Sequence, residues 1–475
     1  MNIYSSIVEE NASWQGIAVR EKEKEYSYPR LFQDVEKVSS SLAEAGVAAL
    51  DRCAFIADDS YAYIVYSLAI LKRDAALIPL STRAVKTELA SMLESLPWEY
   101  LIVSEAYAEK HTGPGEQVSL PFSFTLKKNP RTHEKTRLPD TETPAFIRFS
   151  SGTTGKNKGI VLSHKSVLER TSACTHLDIQ RGENVLWVLD MAYHFVVTIL
   201  LFLRRGSSII LCGHPVETEM ARCLSRFPVT LLYATPYHYQ IMAKSPLYSA
   251  ELLKQTRMAV STAMGLPQDT AESFRNKFGF PLNQAYGIIE IGLPCINGGS
   301  SGKSKPGSVG RPEAPYEIKI ASPDDKGIGE ILLRGPGMFD AYLSPFSLRE
   351  EVCKEGFFDT GDLGYLDEEG FLFIAGRSKN VIVFAGMKIF PYEVENILLG
   401  HPAVEEVRVR GVPMKGFGEI PVAEIVLKSG FAGNGELRND LRKFCYARLS
   451  EYKVPKDFIF VKELKKTASG KIART

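Results

Sequence analysis

The stretch that decides the fold is Ser150-Ser-Gly-Thr-Thr-Gly-Lys-Asn-Lys-Gly159. Its ten residues include three glycines, four hydroxyl side chains and two lysines. Apolar runs lie on either side, at 145–149 and 160–162, and they predict a strand, a loop and a second strand. Glycines let a backbone close around a ligand, and free N–H groups, hydroxyls and ammonium groups all favour anions. The stretch therefore predicts a loop that binds a polyphosphate.

Two other interpretations of this stretch are a Walker A loop and a plain surface turn. A Walker A loop requires Ser or Thr directly after Gly-Lys, but here Gly155-Lys156 is followed by Asn157, so that template fails. The plainer alternative is a flexible surface turn rich in Ser and Thr. The motifs that follow along the chain favour the phosphate loop over this turn.

The whole chain is typical of a globular protein without a dominant charge. Its 475 residues predict two or more domains, and its net charge of +1 argues against a nucleic-acid partner or a membrane-surface role. Seven scattered cysteines with no CxxC pair indicate a reduced, cytoplasmic protein without a cysteine metal site. The apolar stretch 195–203 is too short to span a bilayer, so we expect a buried segment and no transmembrane segment.

Helical and strand-like patterns alternate over much of the chain. Before the loop they predict helices at 28–45, 61–72 and 88–93 and strands at 53–56, 75–80 and 100–103. After it they predict a helix capped by Ser163 and strands at 186–189, 208–212, 229–234 and 258–261. Such alternation predicts an α/β fold with largely parallel sheets. The polar segment 107–144 is predicted to be a long connection.

The pattern of predicted secondary structure changes in the last third of the chain. Short strands with Gly-rich turns begin near residue 316 and predict a small β-rich subdomain. A further unit of alternating strands and helices begins near Lys379. We therefore predict two domains, a large multi-sheet N-terminal domain at 1–378 and a small α+β C-terminal domain at 379–475.

Several motifs occur in order along this framework. The loop at 150–159 is followed by Tyr-Gly-Ile-Ile-Glu at 286–290, Thr-Gly-Asp at 360–362, Gly-Arg-Ser-Lys-Asn at 376–380 and Thr-Ala-Ser-Gly-Lys at 467–471. This order resembles the adenylate-forming superfamily, which comprises acyl- and aryl-CoA synthetases, the adenylation domains of nonribosomal peptide synthetases, and luciferases. The resemblance covers nearly the whole chain. It is greatest to free-standing ligases of acyl or aryl acids.

The resemblance implies a nucleotide site. The loop would hold the β- and γ-phosphates of ATP, Tyr286 would pack on adenine, Asp362 would bind the ribose hydroxyls, and Arg377 would contact ribose or phosphate. Glu290 would help to hold Mg²⁺. The implied nucleotide-binding residues are Ser151, Gly152, Thr153, Thr154, Gly155, Lys158, Ala263, Met264, Gly265, Tyr286, Gly287, Asp362 and Arg377.

The resemblance also implies a two-step reaction. Lys471 would stabilise charge while a carboxylate attacks the α-phosphate of ATP, and the small domain would then pivot about Lys379. Gly386 would enter to line the channel for the thiol of CoA. His194 resembles the histidine of the acyl pocket and thiol gate, so Lys471 and His194 are the implied catalytic residues. Amino-acid-activating relatives carry an Asp near that position; here only Asp190 is close, which indicates an acid without an α-amino group.

Other functions stay open at this point. The acceptor is CoA or the phosphopantetheine of a carrier protein, and the basic run from Arg442 to Thr475, with ten Lys or Arg against three acids, fits either one. That run is otherwise an ordinary solvated face. A catalytically weakened nucleotide-binding homologue is a third possibility, because Ile289 and Asn157 stand where the family has threonine and proline.

Overall fold

The structure is a computed structural model, and it describes residues 1–84, 86–111, 117–131, 138, 142–150, 158–299, 302–384, 387–414, 418–466 and 472–473. The helices are α1 (Ile3–Glu10), α2 (Tyr28–Glu44), α3 (Tyr61–Lys72), α4 (Lys86–Ser95), α5 (Glu105–His111), α6 (His164–Ala173), α7 (Met191–His194), α8 (Leu200–Arg204), α9 (Val216–Arg226), α10 (Pro236–Lys244), α11 (Gln268–Phe278), α12 (Arg349–Val352), α13 (Pro391–Leu399) and α14 (Gly435–Tyr446). A π-helical turn, Phe195–Ile199, joins α7 to α8, and short 3₁₀ turns occupy Ala250–Leu253, Ser378–Asn380 and Glu451–Lys453.

The strands form four sheets. In chain order they are β1 (Ile17–Glu21), β2 (Lys24–Ser27), β3 (Arg52–Ile56), β4 (Ala76–Leu80), β5 (Tyr100–Ser104), β6 (Gln117–Leu120), β7 (Phe124–Lys128), β8 (Pro144–Ser150), β9 (Lys158–Ser163), β10 (Asn184–Trp187), β11 (Ser208–Leu211), β12 (Leu231–Ala234), β13 (Met258–Ser261), β14 (Asn283–Ile288), β15 (Gly292–Ile296), β16 (Glu317–Ala321), β17 (Gly329–Arg334), β18 (Ala341–Leu343), β19 (Phe346–Leu348), β20 (Phe358–Leu366), β21 (Leu372–Arg377), β22 (Ile382–Phe384), β23 (Met387–Ile389), β24 (Val404–Met414), β25 (Gly418–Leu427) and β26 (Asp457–Phe460).

The first two sheets are parallel in their centres and antiparallel at their edges. The first sheet has the order β15-β14-β13-β12-β10-β11-β1-β2, and its six strands from β14 through β13, β12, β10 and β11 to β1 are parallel. The second sheet has the order β19-β18-β9-β8-β4-β3-β5-β7-β6, and its strands β8, β4, β3 and β5 are parallel. The predicted parallel βα arrangement is therefore confirmed. The carboxyl ends of parallel strands meet at one edge of each sheet, where ligands bind in open α/β folds.

The connection predicted over 107–144 needs correction. It contains β6 and β7, a hairpin that extends the sheet antiparallel to β5. Phe124 and Leu126 of β7 are buried, whereas most of β6 is exposed. β6 has only four residues, and its Val118 is exposed although it shares a face with buried Leu120, so the strand is too short and too exposed to be recognised from its alternation.

The main core lies between the two large sheets. Nearly every residue of α3 is buried, as expected of a helix that is covered on all sides. The segment 195–203 is buried as the sequence predicts, with Phe195, Phe202 and Leu203 fully enclosed. Among the described residues, no helix has both the length and the apolar character needed to cross a membrane.

Two smaller sheets complete the chain. Strands β16, β17, β20 and β21 form an antiparallel sheet, and β22 to β26 form a second one. The last sheet packs with α13 and α14 around an apolar cluster of its own, which includes Ile389, Val394 and Leu441. These observations agree with the predicted β-rich subdomain and α+β unit.

Candidate nucleotide and acid site

Three of the predicted nucleotide-binding residues contact one another. The hydroxyl of Tyr286 donates a 2.7 Å hydrogen bond to Oδ2 of Asp362, and Nε of Arg377 lies 2.5 Å from Oδ1 of the same carboxylate. Strand register places Asp362 opposite Arg377 in the β20–β21 pair. Asp362 is buried, and its carboxylate is held between Tyr286 of β14 and Arg377 of β21.

The phenol of Tyr286 remains a donor at neutral pH. Burial, and then the charge of Asp362, raise the pKa of Tyr286 well above its ordinary value. Gly361, which precedes the carboxylate, has a φ of +67°, a conformation that suits glycine. The main-chain N–H of Asp362 donates to Oγ1 of Thr360 at 3.0 Å. The turn therefore fixes where the carboxylate points.

Glu290 lies in the turn that joins β14 to β15. Its Oε1 accepts a 3.3 Å hydrogen bond from the hydroxyl of Tyr342, and burial raises its pKa above the ordinary value, opposed by Tyr342, Arg148 and Arg377. Among the described residues no three His, Cys, Asp or Glu side chains form a metal cluster. A single carboxylate suits Mg²⁺, because that ion takes most of its ligands from substrate phosphates and water.

Ile289 provides no hydroxyl at this position. Its side chain packs against the main core, and its carbonyl accepts a 3.1 Å hydrogen bond from Arg170. The guanidinium of Arg170 also donates to the carbonyl of Gly337. The residue is therefore held by its backbone, and any donor to the α-phosphate must come from elsewhere.

The turn after β13 carries the residues predicted to flank adenine. Ala263 has a φ of +70°, a left-handed conformation that is uncommon outside glycine. A Cβ on Gly265 would overlap the hydroxyl of Tyr392 from α13. A Cβ on Gly287, in the next strand, would overlap the carbonyl of Gly292. Gly265 thus admits a tyrosine of the C-terminal unit to the edge of the site.

His194 ends α7, next to the carboxyl end of β10. Its ring centroid lies 6.2 Å from that of Trp187, in an edge-on arrangement. Asp190 caps α7 through a 2.8 Å hydrogen bond from the N–H of Ala192 to its Oδ1. The other oxygen of Asp190 accepts from Ser81 at 2.6 Å. Both oxygens of this carboxylate are therefore engaged within the protein.

Sequence reasoning missed two charged residues beside this segment. Asp59 accepts a 2.9 Å hydrogen bond from the N–H of Met191, and burial, then the charge of Asp190, raise its pKa to about 7. Arg148, in β8, donates a 2.8 Å hydrogen bond to the carbonyl of Tyr193. The sequence did contain a signal for Arg148, because a charged residue interrupts the otherwise apolar run 145–149.

The remaining predicted site residues are divided between described and undescribed parts of the chain. Lys158 begins β9 opposite Ser150, and Lys379 lies in the 3₁₀ turn that follows β21. The predicted residues outside the described part of the chain are Ser151, Gly152, Thr153, Thr154, Gly155, Gly386 and Lys471. Met264 lies in the turn with Ala263 and Gly265.

Comparison with known families settles what kind of protein has this site. Residues 9–343 match the family described as AMP-binding enzyme, and residues 393–471 match the AMP-binding enzyme C-terminal domain. The chain belongs to the AMP-binding enzyme family. The resemblance to adenylate-forming ligases that the motifs indicated is thereby confirmed.

Individual relatives agree with this family. The chain is 29% identical over 455 residues to the 2-succinylbenzoate–CoA ligase of Listeria monocytogenes, covering 95% of this chain and 93% of that protein. It is 33% identical over 341 residues to the long-chain-fatty-acid–CoA ligase of Bacillus subtilis, covering 70% of this chain and 60% of that protein. A crystal structure of an ATP-bound RpMatB–BxBclM chimera superposes with a TM-score of 0.88 at 25% identity, covering 99% of this chain and 97% of that one. The predicted fold class is confirmed.

Proposed function

We propose that this chain is an AMP-forming acid–CoA ligase. It converts a carboxylic acid and ATP into acyl-AMP and pyrophosphate, and then transfers the acyl group to the thiol of CoA. The observation that carries this proposal is the contact of Tyr286, Asp362 and Arg377 at the end of β14. Relatives named as CoA ligases support CoA as the acceptor.

ATP binding follows from the polar groups at this edge. The Asp362 carboxylate provides an acceptor for the ribose hydroxyls, and Arg377 provides positive charge beside it. Glu290 would hold Mg²⁺ together with the phosphates, and the ion would supply positive charge that offsets the phosphate oxygens. The loop 151–157, with Lys158, would hold the β- and γ-phosphates.

The acid would lie against the α7 segment with His194. Recognition of an α-amino group needs a carboxylate that faces the acid, whereas Asp190 serves as the cap of α7. Both oxygens of Asp190 already accept hydrogen bonds, from Ala192 and Ser81. This supports an acid without an α-amino group.

We propose that the two steps use two arrangements of the units 1–378 and 379–475, with the hinge at Lys379. Lys471 serves adenylation, in which two anions must approach each other. Gly386 then lines the thiol channel, so that one cleft serves both reactions. The contact between Tyr392 and Gly265 joins the two units in the arrangement seen here.

Product analysis tests this proposal. The protein is incubated with MgATP, a panel of fatty, aryl and amino acids, and either CoA or a holo-carrier protein, and the products are identified by mass spectrometry. We expect AMP together with one class of acyl-CoA. Acyl-carrier product without acyl-CoA would replace CoA as the acceptor. Formation of ADP, or ATP binding without turnover for any acid, would contradict the proposal. A cytoplasmic location stays a prediction from the cysteine pattern.

A further inference from the structure

Arg148 is a charged residue within an apolar strand. It lies in β8, one residue before Phe149 and directly ahead of the phosphate loop, and it pairs in register with Ile160 of β9. Its neighbours Ile147 and Phe149 are buried. A guanidinium is costly to enclose unless its donors are used, so the position of Arg148 requires a reason.

The described contacts use only part of this side chain. One terminal nitrogen donates to the carbonyl of Tyr193 at 2.8 Å, and the guanidinium carbon lies 5.1 Å from the centroid of the Tyr193 ring. Nε of Arg148 is buried and has no hydrogen-bond partner among the described residues. A buried donor left without a partner costs roughly 1–3 kcal/mol, so this guanidinium is not fully paired within the described residues.

The nearby carboxylates do not fill this role. Glu290 and Asp190 are close enough for their charges to favour the protonated guanidinium, which opposes the lowering of its pKa by burial. Yet no hydrogen bond joins Arg148 to either acid within the described residues. Asp190 instead accepts from Ala192 and Ser81, and Glu290 accepts from Tyr342.

Arg148 therefore lies where three parts of the proposed site meet. The strand that carries it leads into the phosphate loop, its hydrogen bond holds the segment that ends in His194, and its charge interacts with that of Glu290. The planar fork of arginine matches a carboxylate and keeps its proton under all ordinary conditions. Adenylation requires a carboxylate to approach the α-phosphate in this region.

We propose that Arg148 is a catalytic residue that binds the reacting carboxylate of the acid substrate and presents it to the α-phosphate of ATP. This inference rests on the proposed ligase function. A carboxylate oxygen forms the new bond to the α-phosphorus as the bond to the β-phosphate oxygen breaks, and pyrophosphate leaves with that electron pair. Arg148 donates hydrogen bonds throughout and transfers no proton. It reduces the repulsion between the two anions before they react.

The rival explanation is that Arg148 only supports the carbonyl of Tyr193. The two roles predict a different dependence of binding on the charge of the ligand. A ligand-binding arginine distinguishes a carboxylate from its neutral carboxamide, whereas a structural arginine affects both ligands alike. Arg148→Met removes the charge, and Arg148→Lys keeps it without the planar fork.

The test first identifies the acid that supports pyrophosphate release by the wild-type protein. Binding of that acid and of its primary carboxamide is then measured by calorimetry, with the α,β-methylene analogue of ATP present to prevent turnover. If fatty acids are active the pair is laurate and lauramide; if aryl acids are active it is benzoate and benzamide. Arg257→Met is the matched control. Arg257 also donates to a main-chain carbonyl, that of Leu177, but it precedes β13 in the other large sheet and pairs with Glu183.

We expect Arg148→Met to weaken acid binding by about 30-fold or more, which is roughly 2 kcal/mol, and amide binding by less than about threefold. Arg148→Lys should lose less, and Arg257→Met should leave the ratio of acid to amide affinity unchanged. Equal weakening of both ligands by Arg148→Met would overturn the inference while the ligase function stands. If Arg148→Met does not fold, an unchanged acid-to-amide ratio in Arg148→Lys overturns it. Wild-type protein that releases no pyrophosphate with any acid would overturn both proposals.

Discussion

The hydroxyl of Tyr286 and the carboxylate of Asp362 are joined by a 2.7 Å hydrogen bond across 76 residues of sequence. This contact connects the parallel sheet that carries the turn at 263–265 with the antiparallel sheet that carries Arg377. Each side chain alone would be an ordinary tyrosine or turn aspartate. Their contact, with Arg377 on the other carboxylate oxygen, orients the carboxylate that we propose to bind the ribose diol.

Asp362→Asn should weaken ATP binding. The amide keeps the shape but loses the charge, and a hydrogen bond to a charged group contributes about 1.5–3 kcal/mol. The KM for ATP in pyrophosphate release should therefore rise by roughly tenfold to a hundredfold. Asp367→Asn is the matched control, because Asp367 is a turn carboxylate paired with Lys305 at 2.6 Å and lies outside the site. An equal rise in both variants would show that the effect is not specific to Asp362.

Gly265→Ala should disturb the contact between the two units. The new Cβ would overlap the hydroxyl of Tyr392, and forced overpacking costs about 1–3 kcal/mol. We expect adenylation to slow by about tenfold. The double variant Gly265→Ala/Tyr392→Ala removes the overlapping ring and should recover most of the rate. A double variant as slow as Gly265→Ala would mean that the contact with Tyr392 does not explain the glycine.

Asp59 should make stability depend on pH. Its pKa is raised to about 7 by burial and then by Asp190, against about 3.9 in an unfolded chain. The folded state therefore binds more protons between these values, so stability falls as pH rises from about 4 to about 7 and changes little above that. Asp59→Asn keeps an acceptor for the N–H of Met191 without the charge.

The melting temperature of Asp59→Asn relative to wild type should accordingly increase with pH. We expect near equality at about pH 4 and an advantage of about 1–2 °C at pH 8.5, which corresponds to roughly 1 kcal/mol for a unit of this size. Asp58→Asn provides the control, since the Asp58 side chain accepts from Thr82 and Tyr107 at 2.8 Å on the exposed side. A wild-type protein that gains stability over Asp59→Asn at high pH would contradict the assignment.

Lys471→Ala should separate the two half-reactions. The ammonium group is proposed to act only while the carboxylate attacks the α-phosphate, so adenylation should fall by about a hundredfold or more, as when one preorganised electrostatic donor is lost. Thioester formation from supplied acyl-AMP and CoA should stay within about threefold of wild type. Lys466→Ala is the control, because Lys466 belongs to the same basic run but pairs with Glu406 at 2.5 Å. Equal loss of both half-reactions in folded Lys471→Ala would contradict the proposed division of labour.

Local patterns predicted α2, α3, α4 and α6 and most of the central strands of the two large sheets, whereas α1, α9, α10 and α11 were missed. The apolar run at 61–72 predicts α3 with the bounds that the structure has, and Ser163 caps α6 through a 3.0 Å hydrogen bond from the N–H of Ser166. Both signals lie within a few residues of the element that they specify. The β6–β7 hairpin was missed. Its pairing with β5 is a contact between strands that local patterns do not show, and its outer strand β6 is short and mostly exposed.

The π-helical turn at Phe195–Ile199 was also beyond prediction. The run 195–203 is apolar except at Thr198 and buried except at Val197, so one extra residue in a turn leaves no gap in the pattern. Such turns are frequent at functional sites, and this one directly follows His194.

The site itself required information that periodicity does not contain. Tyr286, Asp362 and Arg377 were indicated by resemblance to family motifs, and the structure shows that the three side chains meet. Arg148 and Asp59 were missed because their importance depends on which strand ends and loops face the segment 190–194. That arrangement is set by the order of strands in two separate sheets.

The most direct test of the central claim is carboxylate-dependent release of pyrophosphate. MgATP is supplied with a panel of fatty, aryl and amino acids, each with and without CoA, and pyrophosphate is measured continuously. An acid–CoA ligase predicts release with one class of acids that lack an α-amino group, accelerated by CoA. Release that is greatest with α-amino acids, or no release from folded protein with any acid, would contradict the account.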